Sequence, residues 1–179
     1  MKKIGLLLFY MLALGCKSQT IYNITQPSED RTISENYYIK DINNYNDAFV
    51  GTWRWENGNS MFEITFEEFE MYSDPLAPTI YRDDIYGKYK YIENGITIAE
   101  APTVETFTNY KVSLGYSSPT TYSILIKDII STIAKKGTLT LTSPNTAILE
   151  LRDIGGVKVG FVPNGEFRLP TNITLTKLN

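Results

Sequence analysis

The 179 residues contain no histidine and a single cysteine, Cys16, with 17 Lys and Arg set against 20 Asp and Glu for a formal net charge of −3. Those absences exclude a Ser-His-Asp or Cys-His nucleophile arrangement, a thiol redox pair, an intrachain disulfide and a His/Cys zinc site. The acidic balance, with no basic cluster longer than Lys135-Lys136, argues against a nucleic-acid partner.

Lys2 and Lys3 precede the uncharged run Ile4 to Gly15, the charged and apolar regions of an export signal. The run is too short for a membrane-spanning helix, which needs about 20 apolar residues. Leu12-Ala13-Leu14-Gly15-Cys16 resembles the lipobox of bacterial lipoproteins. That resemblance implies cleavage before Cys16, lipidation of its thiol, and a membrane partner held through the acyl chains. Loss of Lys2 and Lys3 with residues 1–15 leaves the mature chain more acidic still. Lys17 to Thr20 carry no acid. In the Bacteroidota lipoproteins the chain resembles, acidic residues there often accompany surface export, so a periplasm-facing site, on the outer membrane, is the expectation. Residues 16–40 are polar and read as a lipidated tether; residues 41–179 read as one domain.

Asp41 is a good helix N-cap, and Ile42, Tyr45 and Phe49 follow at helical spacing, which predicts one or two helical turns. Strands follow. Phe49, Gly51, Trp53 and Trp55 alternate with Val50, Thr52, Arg54 and Glu56, and Asn57-Gly58 supplies a tight turn. Phe62, Ile64 and Phe66 point inward, but Phe69 and Met71 break the parity, which predicts a β-bulge near Glu67-Glu68. A third strand runs through Ile85, Gly87, Tyr89 and Tyr91 to Asn94-Gly95. Ile96 and Ile98 form a short fourth, and Tyr110, Val112, Leu114 and Tyr116 a fifth. Residues 122–134 fit a strand through Ile124-Leu125-Ile126 or a helical stripe of Ile126, Ile129, Ile130 and Ile133. Leu139 and Leu141 face Leu149 and Leu151 across Ser143-Pro144-Asn145. Val157, Val159 and Phe161, then Ile173 and Leu175, end the series.

The fold class is therefore all-β, an antiparallel up-and-down meander of about eight to ten strands that must form a sandwich or close on itself. Phe49-Val50-Gly51-Thr52-Trp53, after a helical turn and before a hairpin, resembles the opening strand of lipocalin-like and fatty-acid-binding-like barrels. The resemblance implies a calycin barrel with Trp53 plugging its closed end. In lipocalins an arginine packs over that tryptophan; Arg168 lies too early to match it, which leaves complete closure open. The whole chain also resembles uncharacterised lipoprotein families of Bacteroidota.

Inward-facing Trp55, Phe62, Tyr89, Tyr91 and Tyr110 are the candidate lining for a small apolar ligand; the alternative is that they fill the interior. Glu67, Glu68 and Glu70 invite a glycosidase reading, but Glu68 and Glu70 read as an outer, solvated strand face. Asp74, Asp83 and Asp84 offer oxygen ligands for calcium without the Asp-x-Asp-x-Asp-Gly spacing, so neither metal nor cofactor is expected. Lys135-Lys136 reads as a solvated turn. No catalytic residue emerges. The expected function is a lipid-anchored envelope barrel that binds a small apolar ligand, or alternatively a filled barrel that docks an envelope protein.

Overall fold

A computed structural model describes residues 19–31, 36–73, 79–101, 110–131, 133–154 and 165–178. Among the described residues eleven strands form one sheet: β1 (Thr20–Asn23), β2 (Tyr37–Lys40), β3 (Gly51–Asn57), β4 (Ser60–Ser73), β5 (Ile80–Glu93), β6 (Ile96–Glu100), β7 (Val112–Ser118), β8 (Thr121–Lys127), β9 (Ala134–Ser143), β10 (Thr146–Asp153) and β11 (Asn172–Lys177). Eight of them close into an antiparallel barrel in the order β3-β4-β5-β7-β8-β9-β10-β11. One seam is β5–β7, with Ile85 to Gly87 opposite Leu114 to Val112; the other is β3–β11, with Arg54 opposite Thr176 and Trp53 opposite Lys177. Closure removes the free edges that an open sheet of this size exposes. The all-β, lipocalin-like expectation holds, and the barrel is complete.

Alternation sets the core. Trp53, Phe62, Ile64, Phe66, Ile85, Tyr89, Tyr91, Val112, Leu114, Ile124, Leu139, Leu149 and Leu175 point inward into one buried cluster. The β5–β6 hairpin turns through Asn94-Gly95, with φ of 50° and 80°, the two positive values a type I′ turn requires. The β3–β4 hairpin turns one residue later than expected, through Gly58-Asn59, because Asn57 pairs with Ser60. β8 resolves the ambiguous segment: the strand ends at Lys127, and buried Asp128 organises the turn that follows. Its carboxylate accepts from Ile130 N at 2.8 Å, Ser131 Oγ at 2.8 Å and, across the barrel mouth, Arg168 N at 3.0 Å. The strand expected at Val157 to Phe161 lies outside the described residues.

Two departures position the candidate site. β4 and β5, at 14 residues each, outrun the barrel and form an arm, which β2 and then β1 extend by parallel pairing. The stretch expected to be a tether thus contributes two strands. The bulge also falls later than predicted: register slips between Phe69 and Tyr72, with Met71 at φ 53°. Strict alternation therefore runs past Glu67-Glu68, so Glu68 faces inward and Phe69 outward.

Candidate functional site

The far edge of β5 is shared among three strands. β2 pairs with Ile80 to Arg82, β7 with Ile85 to Gly87, and β6 with Lys90 to Glu93. At Asp83-Asp84, between β2 and β7, the ladder is interrupted, and a notch of about 210 Å³ opens. Its walls include Arg31, Asn46, Arg82, Asp83, Tyr116 and Tyr122, with Ile39 and Leu114 as apolar sides.

Polar groups converge behind this notch, where the arm meets the barrel end. Asp83, buried, accepts from the Tyr38 hydroxyl, from Asp41 N at 2.9 Å and from Met71 N at 3.0 Å. One side chain thus holds β2, the bulge and the chain entering the 3-10 turn Asn46–Ala48. Asp41 Oδ2 accepts from Asn46 N at 2.7 Å, but Asp41 is not the expected N-cap: the 3-10 turn begins only at Asn46, and its N-cap position is Tyr45, which makes no side-chain cap bond. Asn46 Nδ2 donates to Glu68 Oε1 at 2.7 Å, and Asn46 Oδ1 accepts from Tyr122 Oη at 2.7 Å. Asp41 Oδ1 and Arg31 Nε are buried with no hydrogen-bond partner among the described residues. Arg31 lines the notch, so its leftover donor matches an acceptor on a ligand or a partner side chain there.

Electrostatics follow from burial. Desolvation raises Glu68 above the ordinary glutamate range despite the Asn46 hydrogen bond, and Asp83, Asp41 and Asp47 add like-charge repulsion. Tyr122 is raised first by burial and then by Asp41. On the opposite face Glu67 is lowered, because Tyr110 donates to it at 2.7 Å and Lys88 pairs with it at 3.0 Å.

The residues singled out as ligand lining divide. Phe62, Tyr89 and Tyr91 are buried inside the barrel, with Phe62 5.9 Å from Tyr89 and 6.5 Å from Tyr91 between ring centroids. Trp55 is half-buried against the same core. Tyr110 is not among them: it precedes β7 and lies on the outer face, 5.2 Å from Phe69 and 6.0 Å from Tyr86. Those rings give Phe69 the cover that sequence reasoning had sought inside. Burial and the Glu67 carboxylate push the Tyr110 hydroxyl to about 12.

The carboxylate candidates do not assemble. Glu68 is inward and Glu67 is not, because successive strand residues cannot share a face, and Glu70 is exposed at the bulge. Asp83 and Asp84 diverge for the same reason: Asp84 accepts from Tyr86 Oη at 3.1 Å and pairs with Arg82 at 3.5 Å. Asp74 lies outside the described residues, as does Cys16. Among the described residues no three Asp or Glu converge as a metal site. Lys135 is not a solvated turn either; it pairs with Asp153 at 2.8 Å and lies 5.1 Å over the Phe167 ring.

Sequence reasoning missed the joint itself. Asn46 and Asp41 sit in a polar stretch, and only the slipped parity at Phe69 signalled that something displaces the pattern there. It also missed the cation over Trp53, which comes from Lys177 and not from an arginine: Nζ lies 5.4 Å from the ring centroid.

Residues 1–178 match the family of unknown function DUF6705. The chain belongs to that family. The match covers residues 1–15 together with the arm and the barrel. No curated protein and no solved structure matches the chain significantly.

Proposed function

We propose that the protein is a lipid-anchored component of the bacterial cell envelope, without enzymatic activity, whose filled barrel is a rigid scaffold for docking an envelope partner. The leader Met1 to Gly15 and Cys16 support export and acylation, with the domain held on the periplasmic side of the outer membrane. The observation that carries the docking role is the state of the interior. Trp53, Phe62, Ile64, Leu139, Leu149 and Leu175 are 0% exposed, so no space of water size touches them. A pocket of the about 300–1,000 Å³ typical for small ligands leaves its lining in contact with such space.

A second reading rests on the notch. Arg31 Nε, a leftover donor on a residue that lines it, favours a small polar ligand at the arm–barrel joint over an apolar one inside the barrel.

Native mass spectrometry of protein purified from its own membrane separates the readings. The docking role predicts a diacyl or triacyl mass on Cys16, no small ligand, and a co-purifying protein. A stoichiometric small molecule released on denaturation overturns it. A mass shift that persists in Cys16→Ser overturns the anchor.

A further inference from the structure

Four strand ends meet at the tip of the arm. β1 starts at Thr20 beside Tyr37, where β2 starts, and Tyr37 pairs with Ile80, where β5 starts. β4 ends alongside, with Ser73 opposite Tyr81. Only Lys17, Ser18 and Gln19 separate Cys16 from β1. Four fully extended peptide steps from Cys16 to Thr20 span at most about 14 Å. A 30-residue coil would reach roughly 30 Å and leave the domain free to turn. A lipid on Cys16 therefore brings this end of the molecule to the bilayer.

The side chains at that end suit the position. Ile21, Tyr22, Tyr37, Tyr72, Ile80 and Tyr81 are all partly or largely exposed, and Ile21 is 55% exposed. The row Ile21–Tyr38–Tyr81–Ser73 has no charge, and the first charge further in on β5 is Arg82. Tyr22 and Tyr37 meet edge to face at 5.8 Å. Tyrosine presents an apolar ring and a polar hydroxyl, the combination enriched where headgroups meet hydrocarbon. The opposite end, at the β3–β4 and β5–β6 turns, exposes Glu56, Asn57, Asn59, Glu93 and Asn94, with Ile96 a single exposed apolar side chain among them and no tyrosine exposed there.

Resting on the lipid-anchor reading above, we infer that the arm tip is a bilayer-docking surface. The acyl chains on Cys16 seat the tyrosine and isoleucine rim in the headgroup layer. The barrel then stands away from the membrane, with the β3–β4 turn roughly 40 Å out along β4. Both the notch and the far turns stay accessible to an envelope partner.

The test uses full-length protein with acylation of Cys16 verified by mass, which also blocks its thiol. Ile21→Cys or Asn59→Cys is labelled with nitrobenzoxadiazole and reconstituted into phosphatidylethanolamine–phosphatidylglycerol vesicles with doxyl-lipid quencher. Emission is lost at position 21 and retained at position 59. Thr20→Cys, labelled in the same way, also loses emission and stands in if the change at Ile21 impairs folding. Acylated protein quenched equally at both ends, or at neither, overturns the docking while leaving the anchor intact. Protein with no acyl group on Cys16 overturns the anchor and the docking with it.

Discussion

Lys177 Nζ lies 5.4 Å from the centre of the Trp53 ring and donates to Ala48 O at 3.1 Å. Trp53 Nε1 in turn donates to Phe49 O at 2.8 Å. One ammonium thus ties the barrel's last strand, β11, to its first, β3, and to the 3-10 turn before it, across a β3–β11 ladder of only two residue pairs. Lys177→Met keeps much of the apolar stem but removes the cation and its carbonyl contacts. It is expected to lower stability by about 1–2 kcal/mol, read as an earlier urea midpoint in tryptophan fluorescence. Lys177→Arg keeps most of the wild-type value.

Glu67 and Glu68 are neighbours with opposite pH behaviour. Glu68 is raised by burial, so the folded state holds its proton more tightly than the unfolded chain. Its contribution is fully present below the ordinary value of 4.5 and is lost as pH rises through the folded value. Glu68→Gln, which can still accept from Asn46, is therefore expected to be more stable than wild type at pH 7 and to lose that advantage by pH 4.

Glu67 is lowered by Tyr110 and Lys88. Its contribution is present above 4.5 and disappears as pH falls through the folded value. Glu67→Gln is expected to be less stable than wild type at pH 7 and to converge with it in acid. Tyr110→Phe should reproduce part of that loss. Denaturant midpoints across pH 3 to 8 check both signs.

Asp83 fastens the arm to the barrel through the Tyr38 hydroxyl and the amides of Asp41 and Met71. In Asp83→Ala those buried donors lose their acceptor, at a cost of about 1–3 kcal/mol. The arm should loosen while the barrel stays closed. Hydrogen exchange is expected to quicken about 10- to 100-fold over Tyr37–Lys40, with little change over Leu139 or Leu149.

β9 passes close over β10 at Gly137, where an added Cβ would lie 1.7 Å from Glu150 O. Gly137→Ala must push the two backbones apart, and a loss of about 3 kcal/mol or more is expected. Thermal unfolding measures it directly.

The barrel was legible because its signals are local. Trp53 with Trp55, Phe62 with Ile64 and Phe66, and Ile85 with Tyr89 and Tyr91 alternate with polar residues, and Asn94-Gly95 marks its own turn. The arm was not legible. β1 pairs in parallel with β2 (Thr20 with Tyr37), and β2 with the more distant β5 (Tyr37 with Ile80), so no turn residue announces them, and their flanks are polar enough to read as coil. Glu68 was assigned outward on the assumption that an inward position must be apolar. At the barrel end, Asn46 supplies a polar partner, which makes an inward carboxylate tolerable. Tyr110 continued an alternation that stops at Val112, where β7 begins. The cation over Trp53 was sought as an arginine, while the position that meets the ring carries Lys177.

The central claim is that the interior is filled. Titrating the purified protein with cis-parinaric acid while exciting Trp53 and Trp55 tests it most directly, since a probe inside the barrel lies within energy-transfer range of both rings. The account predicts no saturable quenching of tryptophan emission, in wild type and in Glu68→Gln alike. Saturable one-to-one energy transfer would place a ligand among side chains that leave no room for it, and would contradict the account.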